Sequence, residues 1–450
     1  MQNTTLTPHC VSSRLASLPL HALALAALLM AAGASHAAEP VAPAVDAADA
    51  AVAAVAHPAA PVNPSAPVWT FSGFGSLGAA RSDYDQADFT SNILKGEGTG
   101  ATHEWNGNLD SRLGGQLAVT IGKKWSAVVQ VGVEQRYDLS YKPLVEWANV
   151  KYQVTPDLSV RVGRIALPIF LAADYRKIGY AYPWVRTPSE VYGGVPITNS
   201  DGLDVAYRWQ HAGIKHTTQA FFGKTDIYLT ETTDIKARNL GGITHTAERG
   251  PLTLRFSAFT AVLNVNIVRP LFDGYRQFGP AGIAIADKYD VVNKRFTGFA
   301  VGASYDPGNW FVMAEAAQRD GRSFLAKGMG MYASAGYRTG EFTPYVSYSV
   351  SEGKRPTGPQ GLPLAGMPAR QAFVARELNA GLDKLIKTIS SQDSMAVGVR
   401  WDFRPDMAVK LQYDRATPRD GSRGSLINLE PGFQSGRTVH VTSAVLDFVF

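Results

Sequence analysis

The chain of 450 residues carries 43 Lys+Arg against 38 Asp+Glu, a formal net charge of +5, and is 45% hydrophobic and 10% aromatic. So mild a basic excess, with no cluster of like charge, excludes the electrostatic footprint of a nucleic-acid binder. The single cysteine, Cys10, excludes disulfide frameworks and thiolate metal sites.

The first forty residues read as an export signal. Arg14 supplies a positive charge, Leu18 to Gly33 is an apolar run, and Ser35-His36-Ala37 gives the small–x–small cleavage pattern. Residues 1–37 are therefore expected to be removed, and Cys10 with them. The run, with His21 inside it, is shorter than the ~20 apolar residues of a membrane span. Residues 38–68 are rich in Ala and Pro, with Pro at 40, 43, 58, 61, 64 and 67, and read as a disordered periplasmic lead. No later stretch is long and apolar enough for a membrane helix, and mean hydropathy is −0.08. Alternating strands average to such a value, so a barrel is not excluded.

From Trp69 the period becomes two. Gly73-Phe74-Gly75-Ser76-Leu77-Gly78 matches the dinucleotide pattern G-x-G-x-x-G literally, but it lies in an alternating segment, where glycine allows bending and close approach. Leu113, Leu117, Val119 and Ile121 alternate with Arg112, Gly114, Gln116 and Thr120. The same alternation returns at 129–136, 148–154, 158–163, 203–210, 252–257 and 407–414, which places alternate side chains on opposite faces of strands. Tight connections at 155–157, 306–309, 339–341 and 404–406 alternate with long polar ones at 81–110, 166–201, 262–296, 351–392 and 415–437. Trp69, Trp125, Trp209, Trp310, Phe342, Trp401 and Phe403 sit beside the tight set, as an interfacial girdle requires. The chain ends Val445-Leu446-Asp447-Phe448-Val449-Phe450, apolar at alternate positions.

An open sheet in hydrocarbon would leave an edge of unpaired amides, so these strands must close on themselves. The fold expected is an all-β transmembrane antiparallel barrel over 69–450 with about sixteen strands, or eighteen if loops 262–296 and 351–392 each hide a hairpin. Phe373 to Ile389 also places Val374, Leu378, Leu382, Leu385 and Ile389 at helical spacing within one of those loops.

Over roughly 69–450 the sequence resembles the Gram-negative outer-membrane porins, on the terminal Phe450, the early segment Ser111-Arg112-Leu113-Gly114 and the long connection after the fifth strand. Pro188-Ser189-Glu190-Val191-Tyr192-Gly193-Gly194 in that connection is similar to the family's Pro-Glu-Phe-Gly-Gly motif; Lys123-Lys124-Trp125 replaces its acidic-Leu-Gly turn. The resemblance implies an outer-membrane location among lipid and lipopolysaccharide, passage of small polar solutes, a homotrimer, no cofactor, and Phe448 and Phe450 as the assembly signal. It also implies a third external loop, Ala166 to Asp201, folded into the barrel. Arg112, Arg136, Arg161 and Arg208 would then form the basic wall, and Asp174 and Glu190 the opposing loop.

Alternation adds Lys151 and Arg255 to the inward set, and Arg176, Lys177 and Arg186 lie on the loop. Arg338, Arg400 and Lys410 also point inward, against Glu134, Asp204, Glu315, Asp402, Asp414 and Asp447. A net basic lumen predicts a weak preference for anions. No H-E-x-x-H, G-x-S-x-G or P-loop occurs, so no catalytic or metal residue is assigned. The reading is a passive diffusion channel. Its alternatives are a substrate-specific channel for small anions, a barrel lipid hydrolase using His245 or His440, and a plugged anchor or adhesin.

Overall fold

The computed structural model describes residues 66–450. The expected signal segment 1–37 and nearly all of the lead 38–68 lie outside the described residues. Sixteen long strands follow: β1 (Val68–Ser82), β2 (Arg112–Ile121), β3 (Trp125–Glu134), β4 (Leu144–Gln153), β5 (Leu158–Ala166), β6 (Asn199–His211), β7 (Ile214–Tyr228) and β8 (Asp234–Arg249), then β9 (Leu252–Val265), β10 (Lys294–Tyr305), β11 (Trp310–Asp320), β12 (Lys327–Tyr337), β13 (Phe342–Gly353), β14 (Gln392–Arg404), β15 (Met407–Pro418) and β16 (Val439–Val449). Each pairs antiparallel with its sequence neighbours, and β16 returns to β1 in the register Phe74↔Val449 to Ser82↔Val441. A two-residue piece, Trp105–Asn106, pairs with Arg81 and Ala80 beside the same edge.

The count is sixteen because the two longest ambiguous loops are helical. Loop 262–296 contains α1 (Arg269–Arg276) and α2 (Gly279–Tyr289), and loop 351–392 contains α3 (Ala369–Ile386). The last begins directly after Pro368 and ends three residues before the expected Ile389. Leu382 is buried as its spacing requires, whereas Val374 is exposed. In α3, Asn379 Nδ2 donates to the Leu362 carbonyl at 2.9 Å, and its Oδ1 accepts from Tyr275 of α1 at 3.0 Å.

The two faces of the sheet differ as a barrel in lipid demands. Leu77, Leu113, Val129, Val162, Phe222 and Phe299 are exposed on the outside, while Gln116, Gln130, Ser159, Gln219, Ser347 and Gln412 are buried at alternating positions. Exposed apolar surface of this kind is stable only against hydrocarbon, where it costs nothing to leave uncovered. Near the tight turns Phe342 stacks on Trp401 with centroids 5.8 Å apart, and Trp125 meets Tyr152 at 4.5 Å. The turns themselves are short: Ala212 and Gly213, both at positive φ (51° and 75°), join β6 to β7 in the conformation that matches strand twist.

Closure explains the glycine pattern of β1. A Cβ at Gly73 would fall on the Phe450 ring, and one at Gly75 on the Phe448 ring. The last strand's aromatics thus lie over the first strand's glycines, filling a surface that has no side chain of its own. Gly73 N donates to Phe450 O at 2.8 Å and Phe450 N to Gly73 O at 3.0 Å. Deleting Phe450 removes both bonds, each worth about 1 kcal/mol, together with the ring that covers Gly73. The expected result is a lower yield of heat-modifiable folded barrel in outer-membrane fractions; an unchanged yield would show that the seam closes without it.

Candidate functional site

Residues 167–198 join β5 to β6, and their polar groups are spent on the inner-face side chains of the wall. Lys410 of β15 is fully buried, and its Nζ donates to the carbonyls of Gly179 (2.7 Å), Tyr182 (2.7 Å) and Trp184 (2.9 Å). Its three protons are used there, so Asp447 Oδ2 at 2.8 Å makes a charge contact without a hydrogen bond. Asp447 Oδ1 instead accepts from Ser76 at 2.5 Å. Trp184 Nε1 donates to Ser334 at 2.7 Å, and Glu315 accepts from Tyr192 (2.5 Å), Tyr332 (2.9 Å) and the Leu171 amide (2.7 Å). Glu190, in the single turn Ser189–Tyr192, accepts from Ser349, Gln392 and Ser394 at 2.8, 2.7 and 2.5 Å.

The basic residues of this segment are likewise committed. Arg186 grips Asp110 with Nε (3.1 Å) and Nη2 (2.6 Å), and reaches Asp414 with Nη1 (2.5 Å) and Ser443 with Nη2 (2.7 Å). Burial opposes the charge on Arg186, but Asp110 and Asp414 outweigh it and hold the guanidinium above its ordinary pKa. Lys177 meets Glu134, and burial is again outweighed, here by Glu134 and Glu146. Arg176 bonds the carbonyls of Val195 and Tyr192 and lies over the Tyr192 ring. Burial lowers its pKa because no carboxylate pairs with it closely. Lys177, Arg186 and Glu190 therefore tie the loop to the wall, whereas Arg176 ties the loop to itself.

Two cavities flank these ties. At the tight-turn end a cavity of about 450 Å³ is lined by Lys151, Arg161 and Arg208 of the wall and by Asp174 of the loop. Arg161 forks onto Asp204, with Nε 2.9 Å and Nη2 2.7 Å from Oδ2, and Gln219 completes that carboxylate at 3.0 Å. Lys151 stands directly opposite Arg161 in the β4–β5 register. At the long-loop end a second cavity, about 460 Å³, is bounded by Leu167, Ile169, Val195, Phe259, Leu263 and Phe296 and also reaches Arg319 and Arg423.

The structure thus gathers Lys151, Arg161, Arg208 and Asp174 around one space. Arg112 points inward elsewhere, its Nη2 3.3 Å from the Tyr182 hydroxyl. Arg136 lies two residues past the end of β3 and donates to the Tyr228 carbonyl at 3.1 Å. Sequence reasoning missed Asp110, Tyr182, Trp184 and Tyr192 as partners, because nothing in a period-two pattern tells which loop atom meets which wall position. Arg319 could have been found, since it continues the inward series of Glu315. The hydrolase alternative gains no geometry: His245 contacts Thr218 (2.9 Å) and His216 (3.2 Å) on the outer face, and His440 contacts Tyr413 (2.6 Å).

A closed sixteen-stranded barrel with an apolar outside and a charged, hydrogen-bonding inside defines an outer-membrane channel protein. The chain belongs to the Gram-negative porin family, whose model matches residues 24–428. Porins are channels rather than enzymes, and their location is the outer membrane. No curated protein matches the sequence. Among solved structures, OmpF of Salmonella typhi, in complex with daunomycin, is 13% identical with a TM-score of 0.51, covering 86% of this chain and 99% of that one. The outer membrane channel DcaP of Acinetobacter baumannii is 10% identical with a TM-score of 0.49, covering 85% and 97%. OmpT of Vibrio cholerae is 10% identical with a TM-score of 0.48, covering 86% and 99%. At 13% identity the Salmonella typhi structure speaks to the fold alone.

Proposed function

We propose that the chain is a porin for passive diffusion of small hydrophilic solutes with a weak preference for anions, and that residues 167–198 narrow its passage. The observation that carries this reading is the cavity at the tight-turn end, where Lys151, Arg161 and Arg208 face Asp174. Five basic side chains line that cavity, Lys123 and Lys124 among them, against one acidic one, and the positive local field lowers the barrier for anions and fades as salt shortens the Debye length to ~3 Å at 1 M. In the same reading residues 1–37 are an export signal, 38–68 a periplasmic lead, and the barrel sits in lipid and lipopolysaccharide as a homotrimer, the arrangement that the resemblance to trimeric porins implies.

Reversal potential in planar bilayers under a KCl gradient tests the preference. The unmodified protein is expected to favour chloride weakly at low salt and to lose that preference at high salt. Replacing Arg112 and Arg161 together with Ala removes two positive charges and leaves the Asp204 carboxylate without its fork, so the reversal potential moves toward cations. Clear cation selectivity of the unmodified protein at low salt would refute the anion preference.

A further inference from the structure

The cavity at the long-loop end is unlike a water-filled pore. A barrel lumen is ordinarily polar, yet the inner face of β9 carries Phe259, Ala261, Leu263 and Val265, all buried, and Leu240 of β8 and Phe296 of β10 continue the patch. The loop side is apolar too, through Leu167, Ile169 and Val195. Buried residues of α1, α2 and α3, among them Phe272, Ala286 and Leu382, join the same apolar cluster and cover it from the long-loop side. Charge enters this setting asymmetrically. The cations Lys95, Arg319 and Arg423 line the cavity, and Glu190 is the one acid that does so. That acid is saturated by Ser349, Gln392 and Ser394.

The cations are not saturated. Among the described residues the Arg319 guanidinium has no hydrogen bond and no acidic partner, and it is seated against Gly194 and Gly328, where a Cβ would crowd it. Arg423 Nε is buried without a hydrogen-bond partner, and burial lowers the pKa of this guanidinium. Lys95 Nζ reaches only the Asn108 carbonyl, at 3.2 Å. Buried donors without partners are costly, and an incoming carboxylate supplies what they lack, while the apolar wall takes the rest of such a molecule.

We infer that this cavity is a binding site for small monocarboxylates with an apolar body, their carboxylate held by Arg319 and Arg423 and their hydrocarbon part against Phe259, Leu263 and Phe296. The inference rests on the channel reading and specifies a solute class for it. A carboxylate without hydrocarbon lacks the apolar contact, and an apolar cation is repelled by the same three charges that attract the acid.

Single channels in planar bilayers test this with benzoate, acetate and benzylamine added to the long-loop side at constant KCl. Benzoate is expected to interrupt the current at a concentration roughly tenfold or more below that of acetate, from burial of its ring, and benzylamine not to interrupt it at matched concentration. Arg319→Gln with Arg423→Gln, which keeps side-chain length and polarity near the original, is expected to raise the half-blocking benzoate concentration roughly tenfold or more. Leu263→Asn should raise it for benzoate and leave acetate alone. Equal action of benzoate and acetate, or undiminished block in the double variant, overturns the site. Absence of any KCl conductance in the unmodified protein would instead overturn the channel reading, so the two failures are distinguishable.

Discussion

Lys410→Met is expected to destabilise the barrel by about 3–5 kcal/mol, the cost of leaving a buried ionic partner uncompensated. The substitution keeps the volume of the stem and removes only the ammonium. Asp447, 1% exposed, then loses its closest counter-charge, and the carbonyls of Gly179, Tyr182 and Trp184 lose their shared donor. Thermal or urea unfolding of the purified barrel, followed by the gel shift between folded and unfolded forms, reads the loss. Pairing the change with Asp447→Asn should restore part of it, because the orphaned carboxylate is the larger share. A second consequence separates this tie from ordinary packing. The three carbonyls belong to the segment between β5 and β6, so the variant's single-channel current should become noisier as that segment loosens. A variant as stable and quiet as the parent would show that the lysine carries neither load.

Arg186→Ala is expected to cost a similar amount, about 3–5 kcal/mol. One guanidinium here holds three separate parts of the chain: Asp110 just before β2, Asp414 on β15 and Ser443 on β16. Both carboxylates are buried, and removing the arginine leaves them facing each other. Arg186→Lys should rescue little, since a point charge cannot reproduce the two-pronged contact to Asp110 while still reaching Asp414. Burial pushes Arg186 down, but its acidic partners push it up by more, so it stays charged through the working range. Destabilisation by Ala that Lys fully repairs would mean the fork geometry is irrelevant.

These two residues mark how far the chain could be read before it was folded. Lys410 and Asp414 were assigned inward from period two alone, and Asp447 likewise, because a side chain two positions along a strand returns to the same face. The strand count, the antiparallel order and the closing aromatics were legible for the same reason: each is written in local alternation, turn residues and one chain end. The glycines at 73 and 75 were recognised as strand positions, but the rings above them came from the other end of the barrel.

What only the tertiary structure decided are the meetings of residues distant in sequence. Alternation says that Arg186 is on a loop and Asp414 on a wall; it cannot say that one reaches the other across 228 positions. Nor does period two separate a polar lumen from an apolar one when both faces of a strand carry hydrocarbon, as at Phe256 outside and Phe259 inside β9. The reason is physical. The lipid-facing pattern is imposed by a uniform solvent and so repeats along every strand, whereas the interior is set by which loop happens to pack against which wall. The sequence therefore determined the barrel by itself, and the contacts made by residues 167–198 and by the three helices decided which side chains line the cavity at Lys151, Arg161 and Arg208 and which line the one at Phe259, Leu263 and Phe296.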